Sequence, residues 1–366
     1  MSQESGWEHL AAEVLASPEP SSALQAERTS AAEVAVIVLN WNGRDDTLAC
    51  LESLRAVAYQ NFHVTVVDNG STDGSAGAIR RQFPDVALIE TGRNLGFAGG
   101  NNVGIRNALQ QGADYIFLLN NDTVVAPSLL QELVSAAARC PERGIFTARI
   151  YYYAQPERIW SAGVQWLRDR MEFRHVQDDA VNSVDQRGVA QTDYACGCAL
   201  FARSTIFRDV GLLDAKFFLT YEETDFCYRA RRAGIPSYYV PSAVLWHKVS
   251  VSFGGSESPL IKYFITRNRL LWGERHLTRR ELLQLYKRTW WEIHGRLKPE
   301  LPPDAAPIGA LRRCKQLAQA AGERWKDPET QAMAWGVLHY VLRRFGDASP
   351  RVRKLARPRQ ARDSSR

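Results

Sequence analysis

The chain has 366 residues, of which 45% are hydrophobic and 23% are charged, and its formal net charge is +6. This balance is ordinary for a globular protein and excludes wholesale disorder and a fibrous architecture. No run reaches the roughly 18 consecutive apolar residues of a transmembrane helix, so the sequence predicts no membrane span. Residues 343–366 carry nine basic residues against two aspartates. The excess charge therefore lies in a basic tail, which argues against a broad nucleic-acid-binding face.

The two ends of the chain differ from its body. Residues 1–32 are rich in Ala, Ser, Glu and Pro and lack the basic start and apolar core of a signal peptide, so we expect a flexible N-terminal arm. The body occupies residues 33–275. Residues 276–345 have an amphipathic helical pattern with many Trp, Arg and Leu residues, and the basic tail occupies residues 346–366.

The cysteines indicate the compartment. Six in a chain of this length, scattered through apolar segments, are typical of reduced thiols in a cytoplasm, so we expect a cytoplasmic protein. Cys196 and Cys198 form the one close pair. They lack partners at zinc-finger spacing, and we interpret them as buried structural thiols.

From residue 33 to residue 140, short β-branched runs alternate with amphipathic stretches. The runs VAVIVLN, HVTVVDN, VALIET and YIFLLNN are continuous, which is typical of strands covered by helices on both faces. The repeated strand and helix order predicts an α/β fold with a mostly parallel sheet. After residue 145 follow aromatic-rich strands, a polar loop at 176–190, the strand of CGCALF, and a helix after YEETD that ends at Gly234.

Polar side chains follow each of the four predicted strands. They are Asn40, Trp41 and Asn42 after the first, Asp68 and Asn69 after the second, Thr91, Gly92, Arg93 and Asn94 after the third, and Asn120, Asn121 and Asp122 after the fourth. In open parallel sheets, ligands bind outside the carboxyl ends of the strands. Each set alone is compatible with a turn or a helix cap. Four sets at one edge favour a binding site.

The fourth set supplies one carboxylate and two amide oxygens, which suit a divalent cation that shares its shell with the phosphates of a nucleotide diphosphate. His247 is a candidate to complete this shell and to favour manganese. Two simpler interpretations stay open at this point. Asp122 is also placed to cap the following helix, and His247 is also compatible with a packed core position.

The second and third strands offer nucleotide contacts. Asp68 can accept hydrogen bonds from a base or ribose, the glycine-rich stretch TGRNLGFAGGNNVG permits close backbone approach, and Arg93 offers a permanent charge. The stretch contains no G-x-G-x-x-G and follows the third strand rather than the first, which disfavours a dinucleotide-binding oxidoreductase.

The acidic cluster of YEETD is the candidate for proton transfer. A carboxylate such as that of Glu223 can take a proton from an attacking hydroxyl. Glu222 and Glu223 are also compatible with the acidic first turn of a helix, and Asp225 with an ion pair to Arg229 one turn on.

The ordered set of motifs is similar to glycosyltransferase family 2, and most similar to its bacterial rhamnosyltransferase-like branch. The motifs are VLNWNG, VVDNGSTDGS, RNLGFAGGNNVG, LLNNDT, GCALFARSTIFRDVGLLD, YEETDFCYRARRAG, WHKVSVSFG and YFITRN, within residues 33–270. The resemblance implies a GT-A fold, here with a C-terminal helical extension. It also implies an inverting transfer of a sugar, with rhamnose a candidate, from a nucleotide diphospho-sugar with Mg²⁺ or Mn²⁺.

Site roles follow from the same resemblance, residue by residue. Glu223 matches the catalytic base. The metal residues are Asn120, Asp122 and His247. The nucleotide-binding residues are Asn40, Asn42, Asp68, Arg93, Asn94 and Asn121. Asn120 departs from the usual D-x-D motif, which lowers the negative charge of the metal site, and Glu223 stands where Asp is usual.

The acceptor implied by the resemblance is a hydroxyl of a glycan or of a lipid-linked sugar in the synthesis of a cell-envelope polysaccharide. The helical end, with Trp290, Trp291, Trp325 and Trp335 among basic residues, is a candidate for contact with the inner membrane leaflet. A helical cap or a dimer contact is the alternative for these residues. The main rival function is a non-catalytic sugar-nucleotide binding protein with a degraded metal site.

Overall fold

The computed structural model of the chain describes residues 31–140, 143–176, 188–249, 258–297 and 322–356. Several predicted features lie outside these residues, namely the N-terminal arm up to residue 30, most of the polar loop at 177–187, the motif residues 250–254, Cys314, and the tail at 357–366.

The described chain alternates strands and helices through its first half and becomes helical towards its end. The strands are β1 (Val34–Asn40), β2 (Phe62–Asp68), β3 (Ala87–Glu90), β4 (Tyr115–Asn120), β5 (Thr123–Val125), β6 (Ile145–Tyr152), β7 (Gln155–Ser161), β8 (Val164–Leu167), β9 (Glu172–His175), β10 (Ala190–Thr192), β11 (Ala199–Arg203) and β12 (Ser237–His247). The helices are α1 (Arg44–Arg55), α2 (Ser75–Gln82), α3 (Gly96–Gln111), α4 (Leu129–Arg139), α5 (Ser204–Val210), α6 (Glu222–Arg232), α7 (Pro259–His276), α8 (Arg279–Leu297), α9 (Pro328–Val341) and α10 (Pro350–Leu355).

One large sheet organises the fold, with the strand order β10-β12-β6-β11-β4-β1-β2-β3. The strands β3, β2, β1 and β4 are parallel neighbours, and β6 and β12 are also parallel. β11 is antiparallel to both β4 and β6. The predicted α/β fold with a mostly parallel sheet is confirmed, and the ends of β1, β2 and β4 meet at one edge.

Helices cover both faces of this sheet, which agrees with a strand β1 that is apolar at every position before Asn40. Val34, Val36 and Val38 pack on one face with residues of α1 and α4, whereas Ala35 and Ile37 pack on the other with residues of α3 and α6. A strand buried on both sides cannot alternate apolar with polar residues, which explains the continuous run in the sequence.

Helix α3 lies unusually close to the sheet. A Cβ atom on Gly104 would stand 2.5 Å from Cγ2 of Ile37 in β1, so a larger residue there would push the helix away. The helix begins at Gly96. Its first turn therefore reaches the carboxyl edge of the strands.

The C-terminal helices pack on one another and on a small hairpin. α7 makes its largest contact with α9, and the hairpin of β8 and β9 lies against the fully buried Trp272 of α7 through Trp166 and Phe173. Helix α7 ends at His276, and the predicted division of the chain after residue 275 stays a prediction. Within the described ranges, no helix is both long and apolar enough to cross a bilayer.

Candidate functional site

A cleft of about 270 Å³ opens at the carboxyl edge of the parallel strands. The ends of β1, β2 and β4, the first turn of α3, the start of α6 and the end of β12 all contribute to its wall. Six of the predicted site residues line it, namely Asn94, Asn120, Asn121, Asp122, Glu223 and His247. The fold thus gathers these six side chains from four separate parts of the chain around one space.

Asp122 and His247 stand side by side in this cleft. Strand β12 pairs with β5, and this pairing places Nε2 of His247 3.1 Å from Oδ1 of Asp122. Both residues are buried. Burial raises the pKa of Asp122, but the hydrogen bond and charge of His247 outweigh it and leave the pKa below its ordinary value. Asp122 therefore offers an ionised carboxylate to the cleft.

The helix-cap interpretation of Asp122 is wrong. Asp122 lies between β4 and β5, and helix α4 begins seven residues later, at Leu129. The structure therefore frees this carboxylate for the cleft.

Two buried polar atoms beside Asp122 have no hydrogen-bond partner within the described part of the chain. They are Oδ1 of Asn120 and Nδ1 of His247. Buried polar atoms are normally paired, so an unpaired oxygen and an unpaired nitrogen next to a carboxylate are consistent with a site that is completed by a ligand.

Asn121 points its amide nitrogen away from the cleft centre. Nδ2 donates to Oγ1 of Thr47 at 2.9 Å and to Oδ1 of Asn40 at 3.3 Å. Asn40 in turn donates to Oδ2 of Asp68 at 2.8 Å. This chain of hydrogen bonds joins the ends of β4, β1 and β2, so Asn121 and Asn40 fix the relative positions of the loops.

Asp68 and Asn42 do not line the cleft described above. Asp68 is buried and also accepts from the backbone N–H of Ser71, and Oδ1 of Asn42 accepts from the backbone N–H of Thr72. Both side chains shape the loop between β2 and α2. Their contact with a nucleotide stays a prediction.

The loop before α3 contributes Asn94 to the cleft, whereas Arg93 is exposed and does not line it, so its contact with a nucleotide stays a prediction. Oδ1 of Asn94 accepts from the backbone N–H of Gly96 at 2.8 Å and from Nδ2 of Asn69 at 3.2 Å. Asn69 is buried, lines the cleft and also accepts from the backbone N–H of Leu95. The sequence placed Asn69 at the edge without a role, and the structure shows that it connects the second and third loops.

Glu222 and Glu223 begin α6, as the helix-start interpretation expected, and both also line the cleft. Burial raises the pKa of each carboxyl group, and the neighbouring Glu223 raises that of Glu222 further. A hydrogen bond with Glu222 acts in the opposite direction on Glu223. The pair therefore favours a protonated Glu222 beside a Glu223 that can ionise, and Oε2 of Glu223 has no partner among the described residues.

Asp225 is excluded from proton transfer by its own partners. Its side chain is fully buried, and its two oxygens accept from Arg229, Arg275 and His276 at 2.8 to 3.0 Å. The predicted ion pair with Arg229 is confirmed. Burial raises the pKa of Asp225, but these donors outweigh it and lower the pKa to about 2.

The pair Cys196 and Cys198 is buried, as predicted, with 3.5 Å between the sulfur atoms. Both are free thiols and both line the cleft. Gly197 between them is close to Glu223, since a Cβ there would stand 3.3 Å from Cγ of that residue. This turn forms the wall behind the acidic pair.

Trp160 and His175 form a wall that the sequence did not assign in detail. The ring of Trp160 lies 4.5 Å from that of His175 and 4.9 Å from that of His247. Burial, followed by the neighbouring His247, lowers the pKa of His175 to about 4, so this imidazole is neutral at physiological pH. No local signal marks His175, because only the β8 and β9 hairpin brings it to the cleft.

The sequence comparisons agree with this geometry. The profile of Glycosyl transferase family 2 matches residues 35–204. A low-salt glycan biosynthesis hexosyltransferase of Haloferax volcanii is 25% identical over 67% of this chain and 76% of its own. An N-acetylglucosaminyl-diphospho-decaprenol L-rhamnosyltransferase of Mycobacterium tuberculosis is 29% identical over 56% of this chain and 72% of its own. A dTDP-rhamnosyl transferase of Shigella flexneri is 26% identical over 58% and 71%.

Solved structures share the fold. A mannosyltransferase from Pyrobaculum calidifontis, in complex with GDP-Man and Mn²⁺, aligns with a TM-score of 0.52 at 16% identity over 92% of this chain and 93% of its own. GalNAc-T7 with UDP, GalNAc and Mn²⁺ aligns with a TM-score of 0.57 at 14% identity over 85% and 58%. Residues 35–204 therefore match a glycosyl transferase family 2 domain with a GT-A fold, and the chain is related to rhamnosyl- and hexosyltransferases.

Proposed function

We propose that the chain transfers a sugar, with rhamnose the first candidate, from a nucleoside diphosphate sugar to an acceptor hydroxyl with inversion of the anomeric centre. The observation that carries this proposal is the cleft that Asp122 and His247 enter from one side of the fold and Glu223 from another. The names of the relatives support the sugar, since two of them are rhamnosyltransferases.

Glu223 acts as the general base in this proposal. It lies at the cleft with one oxygen that has no hydrogen-bond partner in the described ranges, and burial raises its pKa, which suits a group that must accept a proton. Attack by the deprotonated hydroxyl from the face opposite the leaving diphosphate inverts the anomeric carbon. Asn120, Asn121 and Asn94 orient the donor from the strand edge.

The residues around Asp122 fit a divalent cation. They provide the carboxylate of Asp122, the imidazole of His247 and the unpaired amide oxygen of Asn120. No group of three His, Cys, Asp or Glu side chains suited to a metal occurs in the described ranges, so this site would supply only a few protein ligands. Mg²⁺ and Mn²⁺ bind with few protein ligands when phosphate oxygens and water complete the shell. Such a cation would neutralise charge on the diphosphate leaving group. The Mn²⁺ in two related folds supports this assignment.

A thermal-shift screen tests the donor site. The purified protein is heated with dTDP-, UDP- and GDP-sugars in the presence of Mn²⁺, Mg²⁺ or EDTA, and we expect one nucleotide to raise the melting temperature in a metal-dependent manner. Asp122→Asn should abolish the metal-dependent part of the shift because it removes the site's carboxylate. A shift that is equal in EDTA, or that survives in Asp122→Asn, would contradict the cation site.

The acceptor is a glycan or a lipid-linked sugar in this proposal. The relative from Mycobacterium tuberculosis is named for a diphospho-decaprenol acceptor, which supports a lipid-linked substrate. The end of α8 offers a surface for such an encounter. Trp290 and Trp291 are 56% and 61% exposed, and they share a helix face with the exposed Leu283 and Lys287. A face with exposed tryptophans and cations suits a membrane interface.

The tryptophans predicted for membrane contact divide into two groups. Trp335 is partly buried beneath Arg351 and belongs to the helical core, whereas Trp325 is exposed. Glu292 of α8 pairs with Arg269 of α7. The C-terminal half of α8 therefore lies beside the middle of α7, and the first turn of α7 carries Ile261 to the cleft wall.

Vesicle flotation tests this contact with the full chain. We expect the protein to float with anionic phosphatidylglycerol vesicles, and Trp290→Gln with Trp291→Gln to remain at the bottom, because the interface loses its two rings. Leu338→Gln with Val341→Gln is the control, since it removes exposed apolar groups from α9. Equal flotation of all three proteins, or equal loss in both variants, would contradict a specific role for this face.

A further inference from the structure

Helix α7 carries two adjacent polar side chains, Arg267 and Asn268, that are completely buried. They belong to the motif YFITRN, to which the proposed mechanism assigns no task. Both side chains point at the loop of residues 216–221, which leads directly into α6 and Glu223. Their contacts define what they can do.

Asn268 binds three backbone carbonyl groups of this loop with one amide group. Its Nδ2 donates to the backbone carbonyl oxygens of Phe217, Leu219 and Thr220 at 2.8, 2.8 and 2.9 Å. Its Oδ1 accepts from Nε of Arg267 at 2.9 Å. Both polar atoms of the Asn268 side chain are therefore hydrogen-bonded, and the amide nitrogen donates to the loop.

Arg267 holds the beginning of the same loop. Nη2 donates to the carbonyl oxygen of Phe217 at 2.9 Å and, at 3.3 Å, to that of Lys216. Nη1 donates to the carbonyl oxygen of Gly346 and to the hydroxyl group of Tyr263. Because these partners are neutral oxygens, this buried cation depends on the number and geometry of its hydrogen bonds.

The loop needs such support because its backbone is unfavourable. Phe218, Thr220 and Tyr221 have φ angles of 65°, 66° and 72°. This left-handed region is rarely adopted by residues other than glycine, and it persists only where surrounding contacts enforce it. Without the donors from α7, we expect the loop to relax towards ordinary backbone angles.

The loop also contacts the donor side of the cleft. The carbonyl oxygen of Phe218 accepts from the backbone N–H of Phe97 at 2.6 Å. Gly96 has a φ angle of 78°, and a Cβ there would stand 2.5 Å from the same carbonyl oxygen, so only glycine permits this approach. Phe218, Leu219 and Thr220 line the cleft. A change in this loop would therefore move a wall of the site.

We infer that Arg267 and Asn268 are positioning residues, which hold residues 217–221 in the left-handed form and thereby set the place of Glu223 in the cleft. The C-terminal helices thus take part in catalysis from behind the loop. This inference rests on the proposed function, because Glu223 is taken as the base.

Kinetics of Asn268→Ala and of the equally sized Asn268→Asp test the inference. Both remove the donor to the three carbonyls, and we expect kcat to fall by about 10²-fold, as for a small misplacement of a reacting group. The affinity for the nucleoside diphosphate alone should change far less than kcat, because the residues proposed to hold the diphosphate lie at the strand edge. Trypsin should also cleave after Lys216 faster in both variants, because the loop opens.

Arg269→Met is the matched control. Arg269 lies on the same helix and is buried, but it pairs with Glu292 and Thr289 of α8 and contacts none of the loop carbonyls. The Arg269→Met substitution should lower the melting temperature and leave kcat unchanged in the folded protein. A native kcat in Asn268→Ala would overturn the positioning role. So would a fall in kcat that is proportional to the fall in melting temperature in the Asn268 and Arg269 variants alike. Failure of both Asn268 variants to fold would assign the pair to the core alone and overturn it as well.

Glu223→Gln, measured in parallel, separates this inference from the proposed function. If Glu223→Gln is active, Glu223 is not the general base, whatever the activity of the Asn268 variants. An inactive Glu223→Gln protein beside a fully active Asn268→Ala protein would leave the base in place and disprove the positioning role.

Discussion

Glu223→Gln is expected to lower kcat by about 10² to 10⁴-fold, the range that a general base contributes. Gln keeps the size of the side chain and cannot accept the proton of the acceptor hydroxyl. Nucleoside diphosphate affinity should not change, since it depends on the strand edge and not on α6. Burial raises the pKa of Glu223 and so disfavours its charge in the folded protein. The melting temperature of Glu223→Gln should therefore be equal to or above that of the native protein.

The pH dependence of kcat/KM provides a second readout for this carboxyl group. The base must be ionised, and its pKa lies above the ordinary value of 4.5, so activity should fall as the pH is lowered through this raised pKa. Glu222→Ala removes the hydrogen bond that lowers the pKa of Glu223, so it should move the acid limb to higher pH. Glu222→Gln keeps a neutral hydrogen-bond partner for Glu223 and should move the acid limb less than Glu222→Ala does. Unchanged turnover in Glu223→Gln would transfer the role to Glu222.

Asp225→Ala is expected to cost about 3 to 5 kcal/mol of unfolding free energy, the usual loss when one member of a buried ion pair is removed. Arg229, Arg275 and His276 all donate to this fully buried carboxylate and would lose their common partner. Urea denaturation measures the loss. Asp45→Ala is the control because its pair with Arg44 is exposed, and we expect no measurable change.

Comparing the stability of Asp225→Asn and of the native protein at acid pH tests whether the buried network stabilises the ionised carboxylate of Asp225. The pKa of Asp225 is about 2 in the folded protein, below the ordinary value of 3.8. A depressed carboxyl pKa contributes stability above the unfolded value, and this contribution is lost as the pH falls from about 4 to about 2. The native protein should lose more stability over this interval than Asp225→Asn. Equal losses in both proteins would contradict the buried network.

The sequence could predict the strand edge because the signals are local. The continuous run of β4 ends in Asn120 and Asp122, and parallel pairing with β1 brings this end to the same edge as Asn40. The carboxylates of YEETD also predict the start of α6. Asp225 could be paired with Arg229 from their spacing of four residues alone. In each case the interaction lies within one element or follows from the parallel order of neighbours.

Other parts of the site depend on contacts that a local pattern does not contain. The orientation of the Asn121 amide depends on Thr47, 74 residues away in the chain. The insertion of β11 between β4 and β6 is a matter of strand order, which hydrophobic periodicity does not specify. Asn268 was visible only as part of the motif YFITRN, because its partners lie 48 to 51 residues earlier.

The pairing of His247 with Asp122 lies between these cases. The two residues are 125 positions apart, so no spacing connects them. Their proximity followed from the resemblance to family 2, and the structure confirms the proximity through the pairing of β12 with β5. The shared role of the two residues in cation binding stays a proposal, which the Asp122→Asn variant tests.

The most direct test of the central claim is the anomeric configuration of the newly formed product, followed by NMR during turnover of the native protein with the donor that the thermal-shift screen identifies. A single displacement assisted by Glu223 predicts that the product has the opposite configuration to the donor, and that this product disappears in Glu223→Gln. Retention of configuration would contradict the account, because it would require a different displacement mechanism from the one built here around Glu223.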